Sequence, residues 1–236
     1  MIKLRLGLFS GVLLALACLL SFAYTAHADE YIYGNNYGSG PDIVSQIDVT
    51  TGGAVTNNYN VSGGNGRGVV QVGNLLYTTT ANSNVVTAFD LTTHISTTAF
   101  AVTGATGLST MAYDGTNFWI GDYSGTNHVY EYSPSGTLLN TVSLPLCTAY
   151  CDGLEYLAAN GGELISNRAD EPASGQYDIY SLTGTLLTSD FIHATTCTSG
   201  STGIAFDGSN YFVSCDNQSM LAEFNGTGTF PPCQHP

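Results

Sequence analysis

The chain has 236 residues, of which only 9% are charged, and its 4 basic against 18 acidic side chains give a net charge of −14. So acidic a balance excludes nucleic acid and anionic membrane surfaces as partners. An apolar fraction of 43% argues against disorder and for one folded domain with a sizeable core.

Residues 1–28 read as a secretory signal peptide. Lys3 and Arg5 precede an apolar run from Leu6 to about Tyr24, and Ala26-His27-Ala28 sets small residues at the −3 and −1 positions of a cleavage site after Ala28. The expected location is therefore secreted, periplasmic or extracellular. Removal of this leader leaves Arg67 and Arg168 as the two basic residues against eighteen acidic ones, a net charge of −16.

From Tyr31 onward a phrase of about 44 residues recurs five times. Its clearest copies are Met111-Ala112-Tyr113-Asp114-Gly115-Thr116-Asn117-Phe118-Trp119-Ile120 and Ile204-Ala205-Phe206-Asp207-Gly208-Ser209-Asn210-Tyr211-Phe212-Val213, each a strand, an Asp-Gly turn and a second strand. The third strand of each unit carries Ile47, Phe89, Tyr132, Tyr180 or Phe224 and closes on a polar turn, as at Thr50-Thr51-Gly52-Gly53 and Ser133-Pro134-Ser135-Gly136. Hairpin repeats of this length indicate a radial array of small sheets, because one such sheet cannot bury both faces alone. The expectation is an all-β propeller of about five four-stranded blades over 29–230, at about 31–62, 66–103, 107–145, 152–193 and 202–230, with 231–236 as a tail.

These repeats resemble the NHL, YVTN and streptogramin-lyase-like propellers of secreted bacterial proteins, including those that carry a PEP-CTERM sorting tail. The tail is absent here: the sequence ends Pro231-Pro232-Cys233-Gln234-His235-Pro236. Blade one starts directly with Tyr31-Ile32-Tyr33, which aligns with the second strand of later units, and little follows Phe230. The expectation is a ring open or incompletely closed at its termini, a truncated member of its family, which associates with itself through the open blade edge or receives a partner strand there.

The repeat sorts the loops. Asp-Gly and Ser-Gly turns collect on one face, and irregular loops on the other, which is the candidate binding face. It carries Asn35, Asn36, Arg67, Asp122, Asp152, Glu155, Asn167, Arg168, Asp170, Glu171 and Asp216. Within it, Asp152, Asp170 and Glu171 are weak candidates for a hard cation such as Ca²⁺ or for sugar hydroxyls, with Arg168 either orienting these carboxylates or pairing with Asp152 or Asp170 to hold a loop. No cofactor is otherwise implied, since no Asp-x-Asp-x-Asp-Gly calcium loop occurs.

Five cysteines follow the leader. Cys197 precedes the inner strand of blade five and Cys215 ends the next strand, so they share a face; the favoured pairs are Cys197–Cys215 and Cys147–Cys151, with Cys233 left over. His94, His128, His193 and His235 fall in unrelated places, and no Gly-x-Ser-x-Gly elbow appears. The leading expectation is a secreted, non-catalytic binding or scaffold module of the cell envelope or extracellular matrix, with a protein or glycan partner. A metal-dependent lyase or hydrolase in the channel, and a self-assembling propeller remnant, are the alternatives.

Overall fold

The computed structural model describes residues 31–230 apart from 39, 62, 148–150, 169–174 and 217. Among these residues eighteen strands form five antiparallel sheets, all joined in simple up-and-down order. Blade one holds β1 (Tyr31–Asn35), β2 (Ile43–Asp48) and β3 (Ala54–Asn60); blade two holds β4 (Gly66–Val72), β5 (Leu75–Thr80), β6 (Ser83–Asp90) and β7 (Ser96–Ala101). Blade three comprises β8 (Leu108–Tyr113), β9 (Phe118–Asp122), β10 (His128–Tyr132) and β11 (Leu138–Ser143). Blade four comprises β12 (Leu154–Leu157), β13 (Glu163–Asn167), β14 (Gln176–Ser181) and β15 (Leu186–His193), and blade five β16 (Ser201–Phe206), β17 (Asn210–Cys215) and β18 (Met220–Asn225). The molecule is a five-bladed β-propeller, four-stranded in its three middle blades and three-stranded in the two terminal ones.

Short polar side chains set the turns. Asp114 Oδ1 accepts from the Thr116 and Asn117 amides, at 2.8 and 2.7 Å, and Asp207 Oδ1 does the same for Ser209 and Asn210. Each bond replaces one that a tight reversal takes from the backbone. The turns after the third strands follow the same rule from Asp48, Asp90, Ser133, Ser181 and Asn225. That equivalence identifies β2 with β6, so among the described residues blade one has no innermost strand and blade five no outermost one.

Buried apolar clusters fill four of the junctions. Val44 and Leu76 join blades one and two; Val86, Leu108 and Phe118 join two and three; Trp119, Leu154 and Tyr180 join three and four; Tyr177, Ile192 and Val213 join four and five. The junction of blade five with blade one instead borders two cavities. One, of about 170 Å³, reaches from Ile32 and Ile47 across to Phe212 and Leu221; the other, of about 370 Å³, lies between Val49 and the Met220, Leu221 and Phe230 side chains. Among the described residues the ring is thus incompletely closed at its termini.

Cysteine pairing reinforces blades four and five. Cys147 bonds Cys151, and Cys197 bonds Cys215, tying the approach to β16 to the end of β17. Two disulfides are consistent with an extracellular or periplasmic location. The expected leader with its cleavage site at Ala28, the tail 231–236, and Cys233 lie outside the described residues.

Candidate functional site

Sequence places Gly66, Arg67 and Gly68 in a row, which reads as an inter-blade loop; in the structure they open the inner strand β4. A Cβ on Gly68 would stand 2.5 Å from the Met111 amide nitrogen, so only glycine lets β4 lie this close to β8. A Cβ on Gly66 would stand 2.2 Å from Asn35 Oδ1. Between these two glycines Arg67 projects into the mouth of the central channel, on the wall of the 170 Å³ cavity.

Three chain segments meet the Arg67 guanidinium. Nη1 donates to Asp152 Oδ2 at 3.2 Å, and Nη2 donates to the Tyr123 hydroxyl at 2.9 Å. The guanidinium carbon lies 4.4 Å from the Tyr123 ring centre and 4.8 Å from that of Tyr37, distances at which a cation is attracted to an aromatic face. Tyr37 is 75% exposed, whereas the Arg67 and Asp152 side chains are 12% and 9% exposed. Two polar atoms of the pair, Arg67 Nε and Asp152 Oδ1, are buried without a hydrogen-bond partner.

Charge at the mouth is finely set. Burial pushes the Asp152 carboxyl above its ordinary value, Arg67 acts against that shift, and the nearby Asp216 adds to it. Asp216 Oδ1 accepts from the Thr202 hydroxyl at 3.0 Å, and Thr202 also lines the cavity. Asp152 is held in place by Asn167, whose Oδ1 accepts from the Asp152 and Gly153 amides at 2.9 and 2.8 Å while its Nδ2 donates to the Ser201 carbonyl. The Cys147–Cys151 bridge anchors the residue just before Asp152.

Other residues of the expected face sit apart from this group. Asp122 is fully buried, accepting from the Ser124 amide and from the Thr126 and Tyr130 hydroxyls, so it shapes a loop. Asn36 Oδ1 accepts from the Ile43 amide at 2.6 Å and closes the β1–β2 loop. Arg168 pairs with Asp178, not with Asp152: Nε and Nη2 grip both carboxylate oxygens at 2.7 Å. Glu155 turns toward the Phe206 backbone and is absent from the cavity wall; burial pushes its carboxyl up to about 7, with the Tyr156 and Phe206 backbone acting in the opposite sense. Asp170 and Glu171 lie outside the described residues. Among the described residues no three His, Cys, Asp or Glu side chains gather as metal ligands.

Tyr37, Tyr123 and Asp178 complete these arrangements and were not singled out by sequence reasoning. The two tyrosines carry no local motif: Tyr123 lies 56 residues from Arg67 in the chain. Asp178 had a readable signal, an acid within the otherwise apolar and aromatic run Tyr177-Asp178-Ile179-Tyr180.

The fold and site define a class, a five-bladed propeller with a polar, aromatic-rimmed channel mouth. The sequence matches no protein-family model and no curated protein. Among solved structures it is similar to the glutaminyl cyclase of Myxococcus xanthus, at 15% identity over 84% of this chain and 97% of that one, with a TM-score of 0.53, a likeness of fold alone. The computationally designed Ika8 protein aligns at 18% identity over 86% of this chain with a TM-score of 0.46, and this chain spans 58% of its length. The designed Ika4 protein aligns at 17% identity over 68% of this chain and 90% of its own, with a TM-score of 0.43.

Proposed function

We propose that this chain is a secreted, non-catalytic propeller of the NHL/YVTN/streptogramin-lyase-like type that binds a neutral, hydroxyl-rich ligand, a glycan unit, at its channel mouth. The observation that carries the reading is the half-used ion pair of Arg67 and Asp152. Arg67 Nε is a buried donor and Asp152 Oδ1 a buried acceptor, both without partners, at the foot of an aromatic rim formed by Tyr37 and Tyr123. A buried polar group left unmatched costs about 1–3 kcal/mol, and once the exposed Tyr37 ring turns aside, adjacent hydroxyls on a sugar ring supply one acceptor and one donor to match both. An anionic ligand is disfavoured by Asp152, by Asp216 and by the negative charge of the whole chain. The protein then works as a binding or scaffold module of the envelope or matrix.

A glycan array followed by calorimetry on the best neutral glycan tests this reading, with Tyr37→Ala as the control. Tyr37 is exposed enough that its loss leaves the melting temperature within about 1–2 °C, and affinity is expected to fall at least about tenfold, the worth of one ring–sugar face contact. Equal binding by wild type and Tyr37→Ala, or no neutral glycan bound at all, would sink the assignment.

A further inference from the structure

We propose that Asp42, Asn35 and the Asn36 carbonyl form a binding site for one Ca²⁺ ion at the junction of blades one and two. Asp42 stands in the loop between β1 and β2 with its side chain fully buried, and neither carboxylate oxygen has a hydrogen-bond partner. An ionised carboxylate in that position is unstable unless something neutralises it. The side-chain cations of the described residues are committed elsewhere: Arg67 to Asp152 and Arg168 to Asp178. His193 pairs with Asp190, and His94 and His128 lie against Phe89 and Tyr130.

Oxygen atoms gather on one face of the β1–β2 hairpin, because its register pairs Asn35 with Val44 and so sets Asn35 and Asp42 on the same side. Asp42 Oδ2 is 2.6 Å from the place a Gly63 Cβ would occupy. Asn35 Oδ1 and the Asn36 carbonyl oxygen are 2.2 and 2.7 Å from the place of a Gly66 Cβ. Asn35 Oδ1 is itself buried without a donor. Burial pushes the Asp42 carboxyl above its ordinary value, and the Gly66 amide, outside hydrogen-bond geometry, acts against that shift. A carboxylate, a side-chain amide oxygen and a main-chain carbonyl are the donor types a hard cation selects; Ca²⁺ completes its shell with water, whereas zinc favours nitrogen and sulfur. The net charge of −16 outside the leader favours cation uptake further. An ion here would tie the β1–β2 loop to the start of β4 and so fasten the incomplete first blade to the second.

The test is equilibrium dialysis of the full chain, stripped with EDTA and then exposed to CaCl₂, with metal analysis and thermal melting in parallel. About one equivalent of Ca²⁺ is expected, with a melting temperature about 5–10 °C higher at 100 times Kd than in chelator, and Asp42→Asn is expected to lose both. Should Asp42 instead bury a proton, wild type melts identically with Ca²⁺ and with EDTA, and Asp42→Asn, which mimics the neutral acid, melts at or above it; that result overturns the site. An equivalent of Ca²⁺ retained by Asp42→Asn overturns it too, by placing the ion elsewhere. Asn35→Asp serves as the second variant: the added charge is expected to tighten Ca²⁺ about tenfold or more, and unchanged or weaker binding speaks against the assignment. Asp42 is not on the wall of the 170 Å³ cavity, whereas Asn35 is, so glycan binding is compared between wild type and Asp42→Asn, and on that variant glycan binding and Ca²⁺ binding stand or fall separately.

Discussion

Arg67 and Arg168 are the two basic residues outside the expected leader, and each pairs with a buried acid, yet the two pairs are built to different ends. Arg168 spends every nitrogen: Nε and Nη2 grip Asp178, Nη1 donates to Gln176 Oε1 at 2.8 Å, and Nη2 also reaches Ser189 Oγ. Asp178 is fully buried and receives the Asp190 amide and the Tyr180 hydroxyl as well. Arg67 has one 3.2 Å contact to Asp152, two tyrosine rings for walls, and polar atoms left unmatched on both partners. Saturation separates a brace from a site. A fully matched pair has nothing to offer a ligand, whereas a half-matched pair at an open mouth does.

The largest effect expected from this contrast belongs to the brace. Arg168→Ala leaves Asp178 buried and uncompensated, which costs about 3–5 kcal/mol of folding stability, measurable by urea unfolding of the oxidised chain. Replacing both partners with apolar residues of similar size, Arg168→Met with Asp178→Leu, is expected to recover most of that loss, because the penalty comes from the stranded charge. Equal stability of Arg168→Ala and wild type would show that the grip on Asp178 is not holding blade four.

Glu155 extends the contrast to an acid with no cation at all. Its folded value of about 7 stands above the ordinary 4.5, so the folded chain binds a proton the unfolded chain lacks between those two values. Stability from this group is therefore greatest below about pH 4.5 and declines as pH rises through 7, by up to about 3 kcal/mol. Glu155→Gln removes the group and is expected to flatten that part of the curve. Unfolding at a series of pH values between 4.5 and 8 reads the difference, and superimposable wild-type and Glu155→Gln curves would rule it out.

The blades were legible in the sequence because their turns are local. Asp114 and Asp207 mark their reversals within three residues, and the same side-chain logic recurs at Asp90, Ser133 and Ser181. The three-stranded state of the first blade among the described residues was legible as well, since Tyr33 aligns with Tyr77 of the second strand of blade two. What local reading does not reach is pairing across the ring: Arg67 and Asp152 are 85 residues apart. Asp122 shows the opposite difficulty. It belongs to the right loops but faces inward, because the Ser124 amide and the Thr126 hydroxyl, two and four residues on, draw its carboxylate into the turn. That Asp-x-Ser-x-Thr spacing was present in the sequence and marks a loop-closing acid.

Arg67→Met sharpens the comparison from the weak side. Its stability cost is expected to be about 1–2 kcal/mol, below that of Arg168→Ala. Asp152 keeps its amide and its Asn167 support in the variant, it borders an open cavity, and its carboxyl already sits above the ordinary range, so it escapes the stranded charge by taking a proton. The sign follows directly. Without the cation the Asp152 carboxyl rises further, the folded variant binds its proton over a wider range, and the stability deficit against wild type shrinks as pH falls toward 4. Parallel urea titrations at pH 7 and pH 4.5 measure that convergence. A deficit as large as that of Arg168→Ala, constant with pH, would mean that the Arg67 pair is a second brace, and the ligand reading of the channel mouth would lose its foundation.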